Sequence, residues 1–134
     1  MVNQIAYQEI SAALKQSNTS LVAVSKIKPA SDIQQLYDLG QRAFGENYVQ
    51  ELVQKQGELP ADIEWHFIGH LQRNKVKYIA PFVHLIHGID SIKLLEEVNK
   101  EGKKHNRVID CLLQVHIAQE ETKFGFDQTE LSRF

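Results

Sequence analysis

Short apolar runs recur along this chain at a nearly constant interval, and that recurrence limits the possible folds more than any other feature. The runs are residues 21–24, 43–44, 63–68, 83–87 and 108–117. Successive runs begin roughly 20 to 25 residues apart, the length of one strand, one helix and two short loops. They are rich in Val, Ile, Leu and Phe on both parities, as in strands covered on both faces. The second run is the shortest, held between Arg42 and Gly45. Between the runs the spacing turns helical. Ile33, Leu36, Tyr37 and Leu39 follow a 3.6-residue period, as do Val49, Leu52 and Val53, and Ile92, Leu94, Leu95 and Val98 form a third apolar face. Residues 3–16 predict a further amphipathic helix with Ile5, Ile10, Ala13 and Leu14 toward the core. Capping-box spacings at Ser31/Gln34, Asn47/Gln50 and Asp127/Glu130 mark three helix starts.

Alternation of strand and helix predicts an α/β fold with a parallel sheet and right-handed crossovers. An open doubly wound sheet and a closed β/α barrel both satisfy it. Neither G-x-G-x-x-G nor G-x-x-x-x-G-K-[ST] occurs, which favours the barrel. The chain has 134 residues and a formal net charge of −2, so no basic excess is available for nucleic acid. A lone cysteine, Cys111, allows no intrachain disulfide or Cys-based zinc site, and its apolar neighbours suggest an inert core thiol. Residues 1–5 carry no basic leader, and no apolar stretch reaches about 18 residues. The expectation is a soluble cytoplasmic protein without membrane or nucleic-acid partners.

In parallel α/β proteins the chemistry gathers at the C-terminal strand ends. Those ends read Ser25-Lys26-Ile27-Lys28-Pro29, Gly45-Glu46-Asn47-Tyr48, His66 to Gln72, His87-Gly88-Ile89-Asp90 and His116 to Lys123. Lys26 is the sharpest candidate. Alternation with Val22 and Val24 would place it on a strand face beside Lys28. Partial desolvation and like charge would then favour its free amine, able to form a Schiff base. A strand-end lysine that reaches out to solvent is the ordinary alternative. His66 and His70, four apart on a strand, would lie roughly 13 Å from each other, too far for one metal ion. Structural or hydrogen-bonding roles suit these histidines and His84 and His87 better. Arg73, Lys75 and Lys77 read as a solvated helix face, and adjacent Glu120 and Glu121 do not form an acid/base pair.

Taken together, three strings carry a resemblance: residues 24–29 (VSKIKP), 44–51 (FGENYVQE) and 65–75 (WHFIGHLQRNK). In this order they resemble the pyridoxal-phosphate homeostasis protein family, whose members look like the N-terminal barrel domain of alanine racemase standing alone. The likeness extends through residues 119–125. It implies a TIM-type (β/α) barrel and a pyridoxal 5′-phosphate cofactor held as an aldimine on Lys26. Lys28, Asn47, His70 and Lys123, on neighbouring strand-end strings, become candidates for the same cofactor pocket. The resemblance further implies a cofactor-handling role without catalytic turnover, with PLP-dependent apoenzymes as partners. A racemase-like enzyme is the alternative, although alanine racemase draws one acid/base group from a separate domain. A complete barrel typically needs about 250 residues. Residues 1–134 are therefore expected to be the N-terminal part of a single barrel domain, about five of eight strands. The family's Gly/Ser/Arg phosphate-holding segment would lie beyond them, and a non-binding structural fragment is the second alternative.

Overall fold

The computed structural model describes residues 1–115, 117 and 125–132. Helix α1 (Gln4–Gln16) leads into β1 (Ala23–Val24), α2 (Ala30–Asp38), β2 (Ala43–Glu46), α3 (Val49–Glu58) and β3 (Glu64–Phe67). A 3-10 turn at Arg73–Lys75 opens α4 (Val76–Ile79), followed by β4 (Leu85–Ile89), α5 (Ile92–Lys104), β5 (Asp110–Leu113) and α6 (Gln128–Leu131). The five strands among the described residues are all parallel and stand in the order β1-β2-β3-β4-β5. Each crossover thus moves one strand further in the same direction. A doubly wound sheet reverses its strand order at a switch point, whereas sequential order is the winding of a β/α barrel. The five β/α units found here are the α/β, TIM-like arrangement expected from the pattern.

Register explains how the strands serve two layers. Phe44 pairs with Trp65, and Phe67 with Ile86 and then Cys111, so these side chains share the face that meets the helices. That face packs against Ile33, Leu52, Val76, Ile79, Leu94 and Val98, all buried. Phe44 and Trp65 meet as tilted rings with centroids 6.1 Å apart. The opposite face carries Gly45, His66 and Leu85 in register. A side chain at Gly45 would meet Ile68 and Val22 there, at 3.0 and 3.4 Å. Val24 and Leu112 are exposed. No helix among the described residues is long and apolar enough to cross a membrane.

Several local expectations are corrected. Helix α1 forms where its periodicity puts it, capped by Asn3 accepting from the Ala6 N–H at 3.0 Å, but it buries none of its residues. Ile5 is 70% and Ile10 50% exposed. Tyr7 instead ties the helix down by donating to Gln41 Oε1 at 2.9 Å. Strand β2 is twice as long as its apolar run, because Gly45 and Glu46 continue it and both are buried. Ser31 and Asn47 do not cap α2 and α3; Pro29 and Tyr48 precede those helices, without side-chain cap bonds. Pro29 explains the first shift, since its fixed φ of −68° starts the helix two residues early. The Asp127/Glu130 box does form: Glu130 N–H donates to Asp127 Oδ1 at 2.7 Å, and Asp127 N–H donates to Glu130 Oε1 at 3.4 Å. Strand β5 is shorter than the apolar run 108–117, and beyond it Val115 makes an isolated parallel bridge with Phe126.

Two glycines provide a test of this packing. A Cβ at Gly69 would lie 2.4 Å from the backbone oxygen of Asn47, so the β3–α4 loop is pressed against the β2–α3 loop. Gly57, inside α3, has nothing within 4 Å of such an atom. Gly69→Ala is expected to destabilise the protein by about 1–3 kcal/mol. Gly57→Ala should stabilise it by about 0.5–1 kcal/mol through helix propensity. Urea titrations of both variants check the opposite signs.

Candidate functional site

The sharpest sequence candidate sits on the turn between β1 and α2. Ser25 follows the strand, is buried, and donates its N–H to the Gly45 carbonyl at 2.9 Å. Lys26 and Ile27 then form the turn, closed by Lys28 N–H donating to the Ser25 carbonyl at 3.1 Å. Ile27 has φ +63°, a left-handed conformation that a β-branched residue rarely adopts. Lys26 and Lys28 are both exposed. The partial desolvation expected of Lys26 is therefore not found. Strand β1 ends at Val24, and the turn breaks the alternation that would have set Lys26 on the sheet face.

What holds this turn comes from β2 and α3. Lys55, 6% exposed on α3, places its Nζ 2.8 Å from the Ser25 carbonyl, 2.9 Å from Glu46 Oε2 and 2.7 Å from Glu51 Oε2. Three ammonium donors thus meet three acceptors. Glu46 is fully buried and its Oε2 also accepts from the Ser25 hydroxyl, while its Oε1 has no hydrogen-bond partner. Glu51 Oε2 accepts from the Ile27 N–H at 2.7 Å. Burial pushes the Glu46 carboxyl above its usual range, against the bonds from Ser25 and Lys55 that pull it down. Burial acts the same way on Glu51, but there the bonds from Lys55 and the Ile27 N–H prevail and hold the carboxyl low. None of these three residues stands out as a candidate in the sequence. A signal was present: a carboxylate inside a strand of a two-faced sheet needs a cation, and Glu51 and Lys55 have the i,i+4 spacing that faces them.

The remaining candidates fall in different places. Lys28 lines a cavity of about 210 Å³ with Ser25, Asp32 and the N-terminal Met1 and Val2. Asn47 and His70 line a larger cleft of about 570 Å³ with Tyr48, Phe67, Lys75 and Tyr78. Lys26 lines neither of the two. Lys123, His116, Glu120 and Glu121 lie outside the described residues. His70 Nδ1 is 3.3 Å from Asp90 Oδ2, which links the loops after β3 and β4. His66 and His87 share a ring-nitrogen hydrogen bond of 2.9 Å on the inner sheet face, and His84 contacts Glu64 at 3.0 Å. Among the described residues no three His, Cys, Asp or Glu side chains could hold a metal. Burial raises the Cys111 thiol to about 11, helped by Asp110, so it is protonated and unreactive at neutral pH.

The family model described as alanine racemase, N-terminal domain, matches residues 5–134. A pyridoxal phosphate homeostasis protein of Pasteurella multocida is 40% identical over 121 residues, covering 87% of this chain and 51% of that protein. One from Aquifex aeolicus is 44% identical over 112 residues, covering 83% and 49%. The chain spans about half the length of these curated relatives. Among solved structures, PipY of Synechococcus elongatus with PLP bound superposes with a TM-score of 0.81 at 37% identity, over 93% of this chain and 60% of that one.

Two stability measurements test the buried groups. Lys55→Met leaves Glu46 as an uncompensated buried charge and is expected to cost about 3–5 kcal/mol in chemical denaturation. The His66–His87 pair makes a prediction about pH. Burial lowers both pKa values in the folded state, with the charges of His87 and His84 adding to the effect at His66. The unfolded chain then binds more protons than the folded one below about pH 6.5, so stability falls as pH drops through that point toward the lowered values. A double variant with His66→Asn and His87→Asn should show a shallower loss of stability below about pH 6.5.

Proposed function

This chain belongs to the family of the alanine racemase N-terminal domain, and on that premise we propose that it binds pyridoxal 5′-phosphate and handles it without turnover. Lys26 is the residue that holds the cofactor. One observation carries the reading: an exposed primary amine stands on a turn fixed at the C-terminal end of a parallel sheet. An aldehyde needs such an amine, reachable from solvent and held in a defined direction. The PLP-bound PipY structure, whose likeness covers 93% of this chain, supports the cofactor's identity.

The cofactor would supply the aldehyde carbon. Lys26 would hold that carbon through its Nζ as a Schiff base, the carbonyl oxygen and the two amine protons leaving as water. Lys28, two residues on, offers a second amine that can take the aldehyde in exchange. Asn47, His70 and Lys123 remain the further candidates for contacts to the bound molecule. A reversible bond to an exposed lysine suits storage and transfer to PLP-dependent apoenzymes in the cytoplasm, and the relatives' names support the coarser role in pyridoxal phosphate homeostasis.

Incubation with pyridoxal 5′-phosphate, borohydride reduction and peptide mapping test the assignment. The reduced adduct is expected on Lys26, and Lys26→Ala should abolish it. An adduct that maps elsewhere, or survives that replacement, overturns the reading. Saturating cofactor with L-alanine should give no D-alanine above the protein-free rate, whereas turnover would replace handling by catalysis.

A further inference from the structure

The geometry points to Glu51 and Lys55 as positioning residues that aim the Lys26 amine by clamping both peptide groups flanking its Cα. The inference rests on Lys26 being the reacting amine. The peptide group before Lys26 presents the Ser25 carbonyl, which accepts from Lys55 Nζ at 2.8 Å. The peptide group after it presents the Ile27 N–H, which donates to Glu51 Oε2 at 2.7 Å. Both clamping side chains stand on α3, four residues apart, and bond each other at 2.7 Å. Glu46 anchors the pair from β2, with Oε2 2.9 Å from Lys55 Nζ.

The direction in which a side chain leaves the backbone follows from the two peptide planes on either side of its Cα. With both planes held from one rigid helix, the Lys26 Cα–Cβ bond has a single heading although the side chain itself is exposed. The left-handed φ of +63° at Ile27 fits this account. It is a conformation that persists only where the surroundings over-determine it, and the Glu51 bond to the Ile27 N–H does so. The same Ser25 carbonyl accepts from Lys28 N–H at 3.1 Å, so the clamp also fixes where the second lysine leaves the turn. Choice between two amines separated by one residue is thus set by backbone geometry. A general loss of stability would not change that choice.

Competitive labelling tests this. The full chain, Glu51→Gln, Glu51→Ala, Lys55→Met and a core control, Val98→Ala, are each treated with pyridoxal 5′-phosphate and borohydride. Tandem mass spectrometry then gives the ratio of adduct at Lys26 to adduct at Lys28, and hydrogen exchange gives the protection of the Ile27 amide. Glu51→Ala and Lys55→Met are expected to lower the ratio by about ten-fold, with faster Ile27 exchange in Glu51→Ala. Glu51→Gln keeps an oxygen that accepts from Ile27 and should retain most of the selectivity. Val98→Ala, buried in α5, should lose stability and keep the native ratio. An unchanged ratio in Glu51→Ala despite faster Ile27 exchange overturns the positioning role. Should Glu51→Ala and Lys55→Met fail to fold, a Glu51→Gln ratio as low as ten-fold below native, with Ile27 still protected, overturns it equally. A native protein labelled at neither lysine would instead overturn the reading of Lys26 on which the inference rests.

Discussion

A single buried ammonium organises the first half of this structure. Lys55 is almost wholly removed from water, and its three donors end on a β1 turn carbonyl, a β2 carboxylate and an α3 carboxylate. A cation so placed is tolerated only when its hydrogen bonds are complete. The completeness therefore acts as a constraint on everything around it. Strand β2 must run on through Glu46, the β1 turn must face inward at Ser25, and α3 must dock with its fourth-residue pair against both. Apolar side chains could fill the same volume, but they would not fix the orientation of a peptide plane.

The sheet divides the labour between its faces. Phe44, Trp65, Phe67 and Ile86 build the layer under the helices and belong to the buried apolar cluster there. The other face carries smaller and polar groups, Gly45, His66 and His87, with Ile68 and Val22 closing on Gly45. Close approach of consecutive loops follows from the same economy of side chains. Gly69 lies against the Asn47 backbone, which brings the ends of β2 and β3 together beside the cleft that Asn47 and His70 line.

Much of this architecture is legible in the sequence, and the failures have physical causes. Apolar runs on both parities and helical spacing between them give the β/α order directly, because burial on two faces leaves that pattern. Helix α1 has the same spacing, yet Ile5 and Ile10 stay exposed; periodicity reports an apolar face without saying what meets it. The apolar run understates strand β2 because its second half is Gly45 and Glu46, and the burial of Glu46 depends on Lys55 nine residues away. Alternation carried past Val24 puts Lys26 on a strand face, whereas the strand stops at Val24 and the left-handed turn at Ile27 is invisible to propensity. The strings that carry the family likeness contain Glu46, Glu51 and, just beyond them, Lys55, but their joint role appears only when α3 folds back over the turn.

The sequential strand order has a kinetic side. Each neighbouring pair of strands closes a loop of similar length, 21 residues from Val24 to Gly45 and from Gly45 to His66, 19 from His66 to Leu85 and 25 from Leu85 to Asp110 by their register, so no single pairing carries an exceptional entropy cost. The bond from Lys55 to Ser25 spans 30 residues and joins the end of β1 to α3 across α2 and β2. Apart from that bond and the one from Glu51 to the Ile27 N–H, the turn is closed by the local bond from Lys28 N–H to the Ser25 carbonyl. The shape of this turn is therefore a property of three packed elements and of no local segment.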